Sequence, residues 1–192
     1  MKIRLLLTLG LAVGSFLLSA RSVQASIQMP ERCRMSGCWR TTIDSKEALR
    51  TNELGTLYLV NQSTDQYPNS SDPKLAAQDY ERFVDFHGSD FVSSTSQSYV
   101  FCSRYIPSVL FESDDSYRVD RLAIFESPFG YNYGSYQTYL ATCHNLAGPD
   151  YFSLDVYTLL LKEGYTTDYV LESDQLSVSS PIEVMQLNPA EL

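Results

Sequence analysis

Few residues in this chain have the types and spacing that could do chemistry. His87 and His144 are the only histidines, and histidine is the commonest general base near neutral pH. The stretch "DFHGSD" brings Asp85, His87, Ser89 and Asp90 together. A serine triad needs a base oriented by a buried carboxylate and a nucleophile on a fixed turn. Neighbours two apart rarely meet those needs, and no Gly-x-Ser-x-Gly elbow occurs. His87 therefore reads as a turn residue. His144 is the better base, and an exported hydrolase using it with Asp150 or Asp155 is one function to test. Glu112, Asp114 and Asp115 lack the alternating oxygen ligands, glycine bend and closing glutamate of a calcium loop. They read as a solvated hairpin turn.

Sulfur offers the next chemistry. The four cysteines are Cys33, Cys38, Cys102 and Cys143. An even count in an exported chain argues for two disulfides, and four cysteines allow three pairings. Local closure favours Cys33 with Cys38, which leaves Cys102 with Cys143. A zinc site from Cys33, Cys38, Cys143 and His144 is the rival, but structural zinc sites repeat tight Cys pairs on both sides. A redox site lacks its Cys-x-x-Cys. No residue set asks for a bound metal or a cofactor.

Aromatic residues give the most distinctive composition. Phe125, Phe129, Tyr131, Tyr133, Tyr136, Tyr139, Tyr151, Phe152 and Tyr157 fall within 33 residues, interleaved with Gly130, Asn132, Gly134 and Ser135. Tyrosine buries area at low entropic cost and keeps a polar handle, so such segments recur at interaction surfaces. They also pack the cores of small β domains. Tyr131, Tyr133 and Tyr136, with His144 and the lone Trp39, are the candidate binding residues.

Compartment and charge narrow the partners. Residues 1–25 run from Lys2 and Arg4 through an apolar stretch, Leu5–Leu18, to the small residues of Val23-Gln24-Ala25. That pattern predicts a cleaved export signal, too short to span a bilayer. The expected product is one soluble domain, residues 26–192, secreted or periplasmic. Of 14 basic residues, losing Lys2, Arg4 and Arg21 leaves 11 against 23 acidic ones, a formal charge of −12. Such a surface repels phosphate backbones and anionic lipid, which argues against nucleic-acid and membrane partners. Arg32, Arg34 and Arg40 nevertheless cluster near the start, while residues 122–192 hold nine acids and only Lys162. Attraction between the two ends of the chain accounts for that asymmetry.

The elements that must position these residues read mainly as β. "CWRTTI" and "GTLYLVN" have strand composition, with the polar stretch Asp44–Glu53 between them and a Ser/Asn/Asp/Pro-rich loop, "QSTDQYPNSSDP", after them. Asn61-Gln62-Ser63 and Asn69-Ser70-Ser71 match glycosylation patterns. Helical spacing of Ala76, Tyr80, Phe83 and Val84 predicts a helix over 73–84. "SVLFE", "SDDS" and "YRVDRLAIF" predict a hairpin. Residues 135–147 fit a helix carrying Tyr136, Tyr139, Leu140 and Cys143 on one face, with a strand as the alternative. The tail, "FSLDVYTLLLKEGYTTDYVLESDQLSVSS", reads as two or three further strands. The sum is a single antiparallel sheet, barrel-like or a sandwich, with one or two short helices and disulfide staples.

Two short motifs carry a family resemblance. Gly37-Cys38-Trp39 and Thr167-Asp168-Tyr169 resemble the Gly-x-Trp and Thr-Asp-Tyr motifs of lipocalins, exported eight-stranded barrels that carry small apolar ligands. The two lie about 130 residues apart, wider than the family pattern, and 23 residues follow Tyr169. The resemblance implies a barrel-like sheet. Three functions are therefore expected: a non-enzymatic binding or structural module meeting a protein, glycan or small ligand through its Tyr-rich segment; the His144 hydrolase; and the apolar-ligand carrier.

Overall fold

A computed structural model describes residues 26–34, 36–69, 76–126, 132–148, 153–166 and 174–189. The export segment, Tyr131, Asp150 and Thr167-Asp168-Tyr169 lie outside the described residues.

The fold is mainly β, with few short helices. Strands β1 (Ile27–Gln28), β2 (Arg32–Arg34), β3 (Gly37–Asn52), β4 (Gly55–Pro68), β5 (Val92–Ser103), β6 (Ser108–Ser113), β7 (Ser116–Arg121) and β8 (Gln175–Val178) form one antiparallel sheet. Both β1 and β2 pair with the outer edge of β3, in registers that differ by one residue. Pro30 sits at that slip, an edge position where a missing N–H costs no ladder bond. From β3 the order runs β4, β5, β6, β7, β8, so the sheet is open. It has the strand number of the barrel that the lipocalin resemblance implies, without its closure.

The strands run longer than composition predicts. The polar segments Asp44–Asn52 and Gln62–Pro68, read from sequence as connections, are strand. Side chains knit these polar rows together. Asn61 donates to Ser45 at 2.9 Å and accepts from Gln97 at 2.8 Å, and Ser93 donates to Asp65 at 2.9 Å. Cross-strand pairs of this kind stabilise a sheet as apolar pairs do. They also place Asn61 inside the β4 ladder.

The β3–β4 turn shows why glycine stands at 55. Asn52 accepts through Oδ1 from the N–H groups of Leu54 and Gly55, and Gly55 has φ +155° opposite Ser103. A Cβ there would sit 2.3 Å from the carbonyl oxygen of Cys102. Gly55→Ala should therefore cost at least about 2 kcal/mol, read as a lower urea midpoint with unchanged m-value. An unchanged midpoint would show that β5 can retreat.

Alternation along the strands creates two cores. One face buries Leu57, Phe101, Leu110 and Val119 under the 3₁₀ helix Pro181–Gln186, through Val184 and Met185. The other buries Ile43, Val60, Val100 and Val109 under α2 (Tyr133–His144). Helix α2 confirms the helical reading of 135–147, and its face of Tyr136, Tyr139 and Leu140 is core. It ends at Asn145 in the left-handed conformation, ahead of Gly148. Helix α1 (Ala76–His87) matches the expected 73–84 helix over its described part and runs on to His87; residues 73–75 lie outside the described residues.

The tail departs from expectation. Leu154–Lys162 is helix α3 rather than strand, opened by Ser153, whose hydroxyl accepts from the N–H of Val156. Its Val, Tyr and Leu content resembles a strand, but a capped start and Gly164 after the end outweigh composition.

Disulfides join Cys33 to Cys38 and Cys102 to Cys143. They consume all four thiols and overturn the zinc alternative. Two disulfides fit an oxidising, extracellular environment. Among the described residues, no helix is long and apolar enough to cross a membrane.

Candidate functional site

A cleft of about 390 Å³ opens between the sheet and the first half of α2. Register places its floor. Trp39 and Thr41 of β3 lie beside Gln66 and Thr64 of β4, and Gln62 lies beside Ile43. Since side chains alternate, Trp39, Thr41, Gln62 and Thr64 share the face that α2 covers. Phe111, Arg118 and Asp120 arrive on that face from β6 and β7. Arg32 and Arg34 close the other side, because β2 pairs Arg32 with Trp39 and Arg34 with Gly37.

Helix α2 supplies the roof. Ser135 to Thr142 are buried without a break, so its polar side faces protein as well as its apolar side. Gly134, Ser135, Gln137 and Thr138 line the cleft. Ser135 donates to Asp120 Oδ2 at 2.6 Å. Asp120 also accepts from Gln175 at 2.7 Å and meets Arg118 Nε at 3.5 Å. The one carboxylate in the cleft is thus occupied by protein donors.

Two amides are not. Gln137 is 4% exposed and Gln62 9%, and both line the cleft. Among the described residues, Gln62 Oε1 and Gln137 Nε2 nevertheless have no hydrogen-bond partner. A buried polar group without a partner costs roughly 1–3 kcal/mol, and native proteins keep few of them. Asn132, at the N-cap of α2, is 1% exposed, makes no side-chain capping bond and, among the described residues, leaves both amide atoms unpartnered.

The arginines are unevenly matched. Among the described residues, the ion pairs are Arg40–Glu31, Arg118–Asp120 and Arg121–Asp174. The attraction expected between the start of the chain and its acidic end is not realised among these pairs: Arg40 meets the nearby Glu31, and Arg32 and Arg34 meet no acid of residues 122–192 among the described residues. Arg32 instead lies 4.4 Å over the ring of Tyr133, a cation–π contact that holds it at the rim.

The candidate binding residues divide. Trp39 lines the cleft and Tyr133 steadies Arg32 at its rim. Tyr136 is a core residue at 1% exposure, with its hydroxyl donating to the carbonyl of Ala123. His144 lies apart. Its Nε2 is 2.9 Å from the Tyr165 hydroxyl, which is 2.7 Å from that of Tyr139. Tyr139 donates to the carbonyl of Ser103 at 2.8 Å. Since that uses the Tyr139 proton, donation runs from His144 Nε2–H through Tyr165 to Tyr139. Burial holds His144 below its ordinary pKa, Glu163 opposes the shift and Lys46 adds to it. Burial pushes Tyr165 up to about 12. His144 therefore spends its Nε2 on a structural chain. It lines neither this cleft nor the second one, of about 300 Å³, at the β3–β4 turn. His87 ends α1, 4.3 Å from the ring of Phe83.

Sequence reasoning found Trp39 but missed Gln62, Gln137 and Arg118. A lone glutamine in a polar run carries no local signal, and these residues meet only through strand register. No protein-family model matches this chain, and neither curated proteins nor solved structures show a significant match to it.

Proposed function

We propose that this protein is an exported, non-enzymatic binding module whose ligand occupies the cleft between the sheet and α2, and that the ligand is a small hydroxylated molecule of the sugar class. The observation that carries the reading is the pair of buried, unpartnered amides of Gln62 and Gln137 lining the cleft. One offers an acceptor and the other a donor, so a complementary ligand brings both, as a sugar's hydroxyls do. Trp39 and Phe111 add apolar surface for the C–H face of a ring. The cleft's volume falls in the range of small-molecule sites, about 300–1,000 Å³. The two histidines lie elsewhere, and the cleft's carboxylate is satisfied by protein, so the lining is suited to recognition. An apolar-ligand carrier fits less well, because Tyr136, Tyr139 and Leu140 pack the space between sheet and helix.

Gly134 provides the test. A Cβ built there meets nothing within 4 Å, and the residue lines the cleft. Gly134→Leu should fill the cleft and keep or slightly raise the melting temperature, since leucine favours a helix more than glycine does. Titration calorimetry with a panel of mono- and disaccharides should show binding by the parent chain and none by the variant. Equal binding by both would place the ligand elsewhere.

A further inference from the structure

Resting on that reading of the cleft, we infer that its ligand is an acidic sugar, carrying a carboxylate or a sulfate ester that Arg32, Arg34 and the first turn of α2 receive together. Three independent features converge on negative charge. First, Arg32 and Arg34 reach the same wall of the cleft from alternate positions of β2. Neither has an acidic partner within ion-pair distance among the described residues. In a chain with formal charge −9, two neighbouring cations left without acids mark a locally positive site. Second, α2 begins at the cleft with Asn132 making no side-chain cap. Gly134 and Ser135 of its first turn line the cleft, so the positive end of the helix dipole lies beside it. Third, Gln137 of the same helix also lines the cleft, and its amide Nε2 is buried with no hydrogen-bond partner among the described residues. A helix N-terminus alone means little; here it coincides with a buried, unsatisfied donor and two guanidinium groups without an acidic partner among the described residues.

Asp120 sharpens the assignment. Its carboxylate draws Arg118 at 3.5 Å and takes donors from Ser135 and Gln175. The β7 side of the cleft is therefore nearly neutral, and the uncompensated charge lies at the β2 side, beside Trp39. A ring resting on Trp39 would direct its acidic group to Arg32 and Arg34 and its hydroxyls to Gln62 and Thr64. Guanidinium forks match carboxylate and sulfate oxygens equally well in geometry.

The test is titration calorimetry of the full chain, disulfides intact, against hexuronates, sulfated hexoses, neutral hexoses and inorganic sulfate. The sugars are taken in gluco, galacto and manno forms. At least one acidic series should bind, and neutral hexoses should bind roughly tenfold or more weakly. The stronger series identifies the carboxylate or the sulfate ester as the group received. Inorganic sulfate should trail the acidic sugars, because it lacks the ring. The double variant Arg32→Gln/Arg34→Gln should erase the preference for acid, leave the melting temperature unchanged and still bind neutral hexoses. Neutral hexoses binding as tightly as acidic ones, or a preference that survives the double variant, would overturn the inference and leave the sugar site standing. Sulfate matching the sugars would also overturn it. Silence toward every sugar would remove the sugar site and the inference together.

Discussion

Replacing Cys102 and Cys143 together by alanine should lower stability by about 4 kcal/mol, or about 10 °C in melting temperature for a domain of this size. The bridge spans 41 residues, and restriction of the unfolded chain grows with loop length. It also has a native role, tying the last turn of α2 to the end of β5. The companion Cys33–Cys38 bridge spans five residues across one hairpin, so its loss should cost about 2 kcal/mol. Function should reverse that order. Arg32 and Arg34 flank Cys33, and β2 is only three residues long. Without the crosslink this edge strand frays and the arginines leave the cleft. Cys33→Ala/Cys38→Ala should therefore keep most of the melting temperature and lose most of the affinity for acidic sugars. The long-bridge variant, assayed well below its melting point, should bind nearly normally. Equal melting temperatures for the two double variants would refute the loop-length argument. Unchanged affinity without the short bridge would show that β2 holds its place by its ladder alone.

The sequence left three disulfide pairings open, and spacing favoured the one found because local closure joins Cys33 to Cys38. The β6–β7 hairpin was legible for a similar local reason: "SDDS" places Asp114 at φ +50°, where a short polar side chain is tolerated. Helix α2 showed its apolar face but concealed its polar one. Ser135, Gln137 and Thr138 look like solvent-facing residues until the sheet covers them. The hidden part of the fold was the polar run through Gln62–Pro68. Strand propensity depends on what lies alongside, and Asn61 finds Ser45 and Gln97 only after three strands have paired. The cleft inherits that difficulty. Its residues come largely from β2, β3, β4, β6, β7 and α2, so composition could name Trp39 yet had no means of finding the glutamine that shares the floor with it or the one in the roof.

The Tyr-rich segment, read from sequence as an interaction face, carries the other large expected effect. Tyr136→Ala should cost about 3–5 kcal/mol, the usual toll for truncating a buried aromatic. Its ring belongs to the core beneath α2, and its hydroxyl donates to Ala123. Truncation would leave both a cavity and a lost hydrogen bond. Tyr136→Phe separates the two terms and should cost only about 1 kcal/mol. Tyr133, three residues earlier on the same helix, should behave oppositely. It is half-buried and stacked on Arg32, so Tyr133→Ala should move the melting temperature little while loosening the arginine that meets the ligand. Urea unfolding of the three variants, beside titration of Tyr133→Ala with acidic sugars, reads both effects. A large stability loss at Tyr133, or a small one at Tyr136→Ala, would reverse the division of labour. The expected pattern follows from helical geometry: positions 133 and 136 differ by three residues, yet only the second lies over the sheet's apolar rows, while the first stands where the roof meets the rim.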